Sequence, residues 1–446
     1  MSYILIKNAK IANEGQVVES DLLIKGERID KIASDINASQ YPDVQVYDAQ
    51  GKLLLPGMID DQVHFREPGL THKGSIATES AAAIAGGITS FMEMPNVNPL
   101  TITHETLADK FALAATKSLA NFSFYLGASN DNIEIIKSLK PDAACGVKVF
   151  MGASTGNMLV DNPDTLEDIF AHSPVIVATH CEDTPTITAN EKIFREKYGE
   201  DVPMACHPLI RSEQACYLSS SLAVKLAQKH GTQLHVLHLT TARELELFTT
   251  KPLKDKSITA EVCVHHLFFN ENDYADKGAL IKCNPAIKTV QDQQALIAAL
   301  NQGKLDIIAT DHAPHTWQEK QGKYFSAPSG LPLVQHALLA LFELMHDDKL
   351  SVNTIVSGTS HRVADRFQVQ DRGYIREGYF ADLVLIDSGN GFTMDREQVL
   401  SKCGWSPFDG YPFRSKICST WVNGQQMWDG QTIISRQTGQ KLSFNR

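Results

Sequence analysis

The chain has 446 residues, 43% of them hydrophobic, and a formal net charge of −11. That length holds one large domain with an ample core plus a smaller one, and the acidic balance argues against nucleic acid or an anionic membrane as the main partner. The apolar run Tyr3-Ile4-Leu5-Ile6 is too short for a signal peptide, no stretch reaches the roughly 18 apolar residues of a membrane span, and the cysteines are scattered singly without a C-x-x-C pair. These features predict a soluble, cytoplasmic protein with reduced thiols.

Residues 1–55 read as short strands joined by glycine turns, for example Asp21-Leu22-Leu23-Ile24 followed by Lys25-Gly26. Similar material returns beyond residue 361, at Gly373–Ile375, Ala381–Ile386 and Thr420–Gly424. One small β domain, of β-sandwich type and assembled from both ends (1–55 and 361–446), is therefore expected.

Residues 56–360 alternate strands with Ala- and Leu-rich helical segments such as Ser75–Ala85, Glu213–Lys229 and Gln294–Leu300. About eight such units predict an α/β fold, a (β/α)8 TIM-type barrel. An open doubly wound sheet is the alternative, and no glycine fingerprint follows the first strand to support it. The run from Gly152 to Gly156 lacks the Lys-Ser/Thr ending of a phosphate-binding loop.

Polar residues collect at the predicted strand ends, which in a barrel converge on one mouth. The first strand runs into Asp60-Asp61-Gln62-Val63-His64-Phe65-Arg66, and alternation places Asp60, Gln62 and His64 on one side. His180 and His238 end later strands and Asp311 the last, a set suited to zinc or another first-row ion. His235 and His238 face opposite sides of their strand, and His238, nearer the end, is the one expected at the mouth. His172, His265 and His266 are read as structural.

Lys148 lies within the apolar run Val147–Phe150, where burial would depress its pKa and let the neutral amine react with carbon dioxide. The resulting carbamate is an anionic group able to bridge two metal ions. Arg66 leaves the mouth beside His64 and suits a substrate carboxylate. Asn96, Asn284 and His315 lie in loops at the same rim, and the Ala327–Gly330 loop reads equally as a ligand-contacting segment or a plain turn.

Taken as an ordered set, these blocks resemble the dihydroorotases of the amidohydrolase superfamily, in their longer-chain (class I) form. The blocks are His64–Gly69, Met94–Asn96, Lys148–Met151, His180–Asp183, Leu234–His238, Glu261–His266, Lys282–Pro285 and Ala309–His315. The resemblance implies reversible cyclisation of N-carbamoyl-L-aspartate to L-dihydroorotate, a step of pyrimidine (UMP) biosynthesis. It further implies zinc held by His64, Asp311, His180 and His238 and bridged by carboxylated Lys148, with a metal-activated hydroxide attacking the ring amide and Asp311 as general acid/base. Arg66, Asn96 and His315 would hold the substrate carboxylate, while Asn284, Ser329 and Gly330 would contact the ring.

Gln62 stands where that family carries a ligand histidine, so one tight ion and a second weak or absent one are expected. The alternatives are a related cyclic amidase (allantoinase or dihydropyrimidinase) and a non-catalytic, dihydroorotase-like partner of aspartate transcarbamoylase. The expected partners are a small-molecule substrate and a second copy of the chain in a homodimer, with no nucleic acid and no membrane.

Overall fold

The computed structural model describes residues 2–152 and 158–446. Residues 153–156 of the Gly152–Gly156 run therefore lie outside the described residues.

Eight parallel strand units form the barrel: β1 (Met58–Val63), β2 (Ile88–Glu93), β3 (Asn121–Phe124 and Leu126–Gly127), β4 (Val147–Phe150), β5 (Val177–His180), β6 (Leu234–Val236), β7 (Ile258–Cys263) and β8 (Ile307–Ala309). Each pairs with the next, β3 interrupted at Tyr125, and a parallel bridge between Val63 and His312 closes the ring. Their apolar runs are buried between the barrel interior and the surrounding helices, as parallel strands require.

Helix Ile76–Ala85 starts where Ser75 and Thr78 cap one another reciprocally and ends at Gly86. Helix Glu213–His230 begins with Ser212 capping Ala215 and stops at Gly231, whose φ of 70° suits glycine.

The closure carries an unexpected device. The register of β1 against β2 slips between Asp60 and Val63, so strict alternation fails there. Asp60 accepts hydrogen bonds from Thr310 Oγ1 (2.6 Å) and Thr310 N (3.2 Å). It therefore joins β1 to the end of β8 instead of facing the pocket beside Gln62 and His64. Burial pushes its carboxyl up to about 8.

The second layer is a single sheet of eight strands drawn from both ends of the chain. Its order is Gln425–Trp428, Lys416–Val422, Leu383–Asp387, Leu53–Pro56, Tyr3–Asn13, Gln16–Lys25 and Arg28–Ala33, with Gln45–Asp48 also paired to Tyr3–Asn13. Ile24, Ile29, Leu54, Leu383 and Trp421 share one core cluster, so distant strands of the sheet pack on each other. Gly373–Ile375, read above as a strand, is irregular here; Asn13 clamps Ile375 through its side chain, accepting from N (3.1 Å) and donating to O (3.0 Å). The sheet is fastened to the barrel by buried Asp382, which accepts from Arg372, Asn423 N (2.7 Å) and Asn121 Nδ2 (3.2 Å) of β3. No helix among the described residues is long and apolar enough to cross a membrane.

Candidate active site and metal centre

The C-terminal ends of the barrel strands enclose a pocket of about 230 Å³ lined by Gln62, His64, Arg66, Asn96, Lys148 and His180, and by His238, Asn284, Asp311, His315, Ser329 and Gly330. Every predicted site residue is thus brought to one cavity. A larger cleft of about 890 Å³ around Ser173, His230 and Arg366 gathers no comparable constellation. Arg66, His238 and Asp311 have φ values of 71°, 41° and 50°, a left-handed backbone that non-glycine residues adopt at a cost and that clusters at functional sites.

His180 Nδ1 and His238 Nε2 lie 2.9 Å apart. His180 Nε2 donates to Glu182 (3.0 Å), which Arg211 also binds, so Nδ1 carries the lone pair and points at His238. Burial lowers both imidazoles, the more so for His238, and keeps them neutral. Glu182 is held near about 2, because Arg211 and His180 outweigh the burial that would raise it.

Across the pocket His64 Nδ1 donates to Asn96 Oδ1 (2.9 Å), so the neutral ring turns its Nε2 lone pair toward Asp311 Oδ1 (3.1 Å), as two ligands of one cation would lie. Asn96 therefore orients His64 through its oxygen, keeping its amide nitrogen for a ligand. Burial favours the neutral Asp311 acid, but the polar groups facing it, His64 first, hold its carboxyl below the usual range.

Lys148, 1% exposed, lies over the Phe150 ring (4.7 Å) and makes no hydrogen bond among the described residues. Burial lowers its ammonium to about 8, against the pull of Asp311 and Glu261. Neutral imidazoles, an ionised carboxylate and an unpaired lysine amine converging on one buried spot suit a divalent cation. The buried and unpartnered Asn284 Oδ1 adds an acceptor beside it.

Gln62 behaves differently from a weak ligand. Its Nε2 donates to Asp311 Oδ1 (3.1 Å), and its Oε1 accepts from Cys263 Sγ (3.6 Å). The reverse orientation would set an amide oxygen against a carboxylate oxygen, so the network determines which way it points. Gln62 presents a donor where a metal would need a lone pair.

Arg66 donates from Nε to Pro314 O (3.0 Å), and its Nη2 lies beside His315 Nε2 (3.1 Å), which itself donates to Ser329 O (3.0 Å). Lys73 Nζ meets His315 Nδ1 (3.0 Å), and His315 is held far below the imidazole range by burial, Arg66 and Lys73. Lys320 Nζ donates to the carbonyls of Lys282, Pro328 and Gly330, holding that rim loop. Lys73 is paired with Glu319 (3.1 Å) and burial lowers Lys320 to about 7, so Arg66, with no ion pair among the described residues, is the uncompensated cation of this wall.

A profile of the amidohydrolase family matches residues 53–427. The chain belongs to the amidohydrolase family. This amidohydrolase is 31% identical over 432 residues to a dihydroorotase of Halobacterium salinarum, spanning 96% of this chain and 97% of that one. It is 30% identical over 447 residues to a dihydroorotase of Bacillus cytotoxicus, spanning 97% and 100%. Among solved structures, an L-hydantoinase (dihydropyrimidinase) from Arthrobacter aurescens superposes with a TM-score of 0.93 at 25% identity, covering 99% and 100% of the two chains. A dihydropyrimidinase from Brevibacillus agri, at 24% identity and a TM-score of 0.89 over 100% of both chains, shares the fold.

Residue-by-residue reading of this amidohydrolase missed Lys73, Lys320, Glu182 and Arg211, whose roles depend on contacts between distant segments. Gly330 was expected to contact a ligand, yet its N–H is bound to Lys282 O (2.9 Å) and its carbonyl to Lys320. That leaves Ser329 as the freer member of the turn. A further buried group, Asp61, His235 and Glu261, sits under the pocket. His235 Nε2 is 3.1 Å from Glu261 and 3.3 Å from Asp61, and those carboxylates overcome burial to raise the imidazole to about 9. A protonated imidazole has no lone pair for a metal, so this group is an ion-pair cluster.

Proposed function

We propose that the chain is a dihydroorotase, interconverting N-carbamoyl-L-aspartate and L-dihydroorotate in the route to UMP. Arg66 carries the reading: a buried guanidinium beside His64, with no ion pair among the described residues, matches a substrate with a carboxylate on its ring. The relatives named as dihydroorotases support it. The hydantoinase and dihydropyrimidinase neighbours favour a second reading, a cyclic amidase for neutral rings, on the likeness of fold.

In this reading His64, His180, His238 and Asp311, with Lys148 as its carbamate, would hold zinc. When bound, zinc would polarise the ring carbonyl and acidify a water toward neutral pH. Asp311, kept ionised by His64 and aligned by Gln62, takes a proton on its carboxylate and delivers it to the departing ring nitrogen. Arg66, His315 and the amide nitrogen of Asn96 orient the carboxylate, while Asn284 Oδ1 accepts from a ring N–H and Ser329 closes the pocket. Residues 1–55 and 361–446 form the β domain around the 56–360 barrel in this scheme. The unpaired cysteines fit a reducing, cytoplasmic compartment.

Turnover of L-dihydroorotate, dihydrouracil and hydantoin by zinc-supplemented protein tests the function. Hydrolysis of dihydroorotate is expected to exceed that of both neutral rings, and a preference for a neutral ring overturns the proposal in favour of the second reading.

Metal content tests the role of Gln62. Dialysed protein should retain one ion near His180 and His238, since the Gln62 amide offers Asp311 a donor and leaves the His64 side short of a ligand. Gln62→His should retain a second. Two ions retained by the His64, Lys148, His180, His238 and Asp311 set, located by anomalous scattering, would refute this.

A further inference from the structure

We propose that Cys263, His265 and His266 form a second, thiolate-containing zinc site at the end of β7, behind Gln62 of the pocket described above and sharing none of its proposed metal ligands. Their ligand atoms all lie within 4.8 Å of one another, and all three side chains are buried. None was assigned a role in the reaction.

The hydrogen bonding points to an absent ligand. His266 Nε2 faces Pro285 O at 3.1 Å, and a carbonyl only accepts, so Nε2 carries the proton and Nδ1 the lone pair. That Nδ1 meets no partner although fully buried. Neither ring nitrogen of His265 meets a partner in hydrogen-bond geometry. Three unsatisfied buried nitrogens in adjacent residues are costly unless something binds them.

The chemistry of the set narrows what binds. The imidazole rings are 4.0 Å apart between centroids. The Cys263 thiol has only the long 3.6 Å contact to Gln62 Oε1. One sulfur and two imidazole nitrogens are the ligands of a borderline-soft ion, zinc above all, with the Gln62 oxygen adjacent as a neutral fourth donor. The carbonyl behind His266 fixes the tautomer that a metal ligand requires. Binding releases the Cys263 proton to solvent, as thiolate coordination demands.

Cobalt(II) titration of the chelator-treated full chain tests the proposal independently of the reaction. The pocket offers cobalt only nitrogen and oxygen donors, so a thiolate-to-cobalt charge-transfer band in the near ultraviolet reports Cys263 alone. The band is expected in the unaltered chain, lost in Cys263→Ser and bleached by added zinc. Cys181→Ser and Cys283→Ser should keep it. No thiolate band in the unaltered chain, a band that survives Cys263→Ser, or one that excess zinc leaves intact overturns the proposal. The spectrum of the unaltered chain decides the matter even if a variant fails to fold.

Discussion

Replacing Lys148 with alanine is expected to lower turnover of dihydroorotate by about three orders of magnitude or more, the scale of losing a group that stabilises transition-state charge. The reason is geometric. Lys148 is the one cation in the pocket with no hydrogen bond among the described residues, and it lies between the His64–Asp311 and His180–His238 pairs that line the same cavity.

Burial holds its ammonium near about 8, so a substantial fraction is free amine at neutral to mildly alkaline pH and open to carbon dioxide. A carbamate and a small carboxylate present the same pair of oxygens. Acetate or propionate should therefore restore part of the lost turnover to Lys148→Ala, measured as rate against acid concentration. A variant that keeps more than a tenth of the original rate, or a wild-type rate indifferent to removal of carbon dioxide and metal, would sink the carbamate assignment.

Arg66→Met should lower kcat/KM for dihydroorotate by about two to three orders of magnitude, the equivalent of about 3–5 kcal/mol for breaking a desolvated charge pair. Turnover of dihydrouracil should not fall in parallel, because that ring has no carboxylate to lose. The ratio of the two kcat/KM values is thus the diagnostic measurement. Arg66→Lys should recover only part of the loss: Nε is committed to Pro314 O, and an ammonium lacks the further nitrogens with which the guanidinium keeps that bond while reaching a ligand. Equal losses on both substrates would mean that Arg66 supports the pocket wall without reading the substrate.

The barrel was legible because the same event recurs along the chain, an apolar run ending in a chemically capable residue. His180 ends β5 and Asp311 lies two residues past the end of β8 at Ala309, while Lys148 stands within β4. The pocket was legible for the same reason, since strand ends converge by topology. What stayed hidden depends on contacts between remote segments. Period-two alternation placed Asp60 beside Gln62, but a slip in register sends it to Thr310. Gly373–Ile375 has strand composition yet is held by side chains, Asn13 on Ile375 and His361 Nδ1 on the Gly373 carbonyl. Gln62 was visible as a departure from the family pattern, whereas the direction of its amide follows from Asp311 and Cys263 lying on either side. Lys320 and Lys73 are ordinary lysines until the fold sets them against the rim loop and His315.

The mixed sheet has a consequence for biosynthesis of the chain. Strand Leu53–Pro56 pairs on one side with Tyr3–Asn13 and on the other with Leu383–Asp387. As the polypeptide leaves the ribosome, one hydrogen-bonding edge of that strand waits for a partner more than three hundred residues away. At about 5–20 residues per second the wait is on the order of tens of seconds. An apolar strand edge open for that long is a template for pairing with another nascent chain. Slowed elongation before residue 383 should therefore raise the aggregated fraction of newly made protein without any change in its native stability.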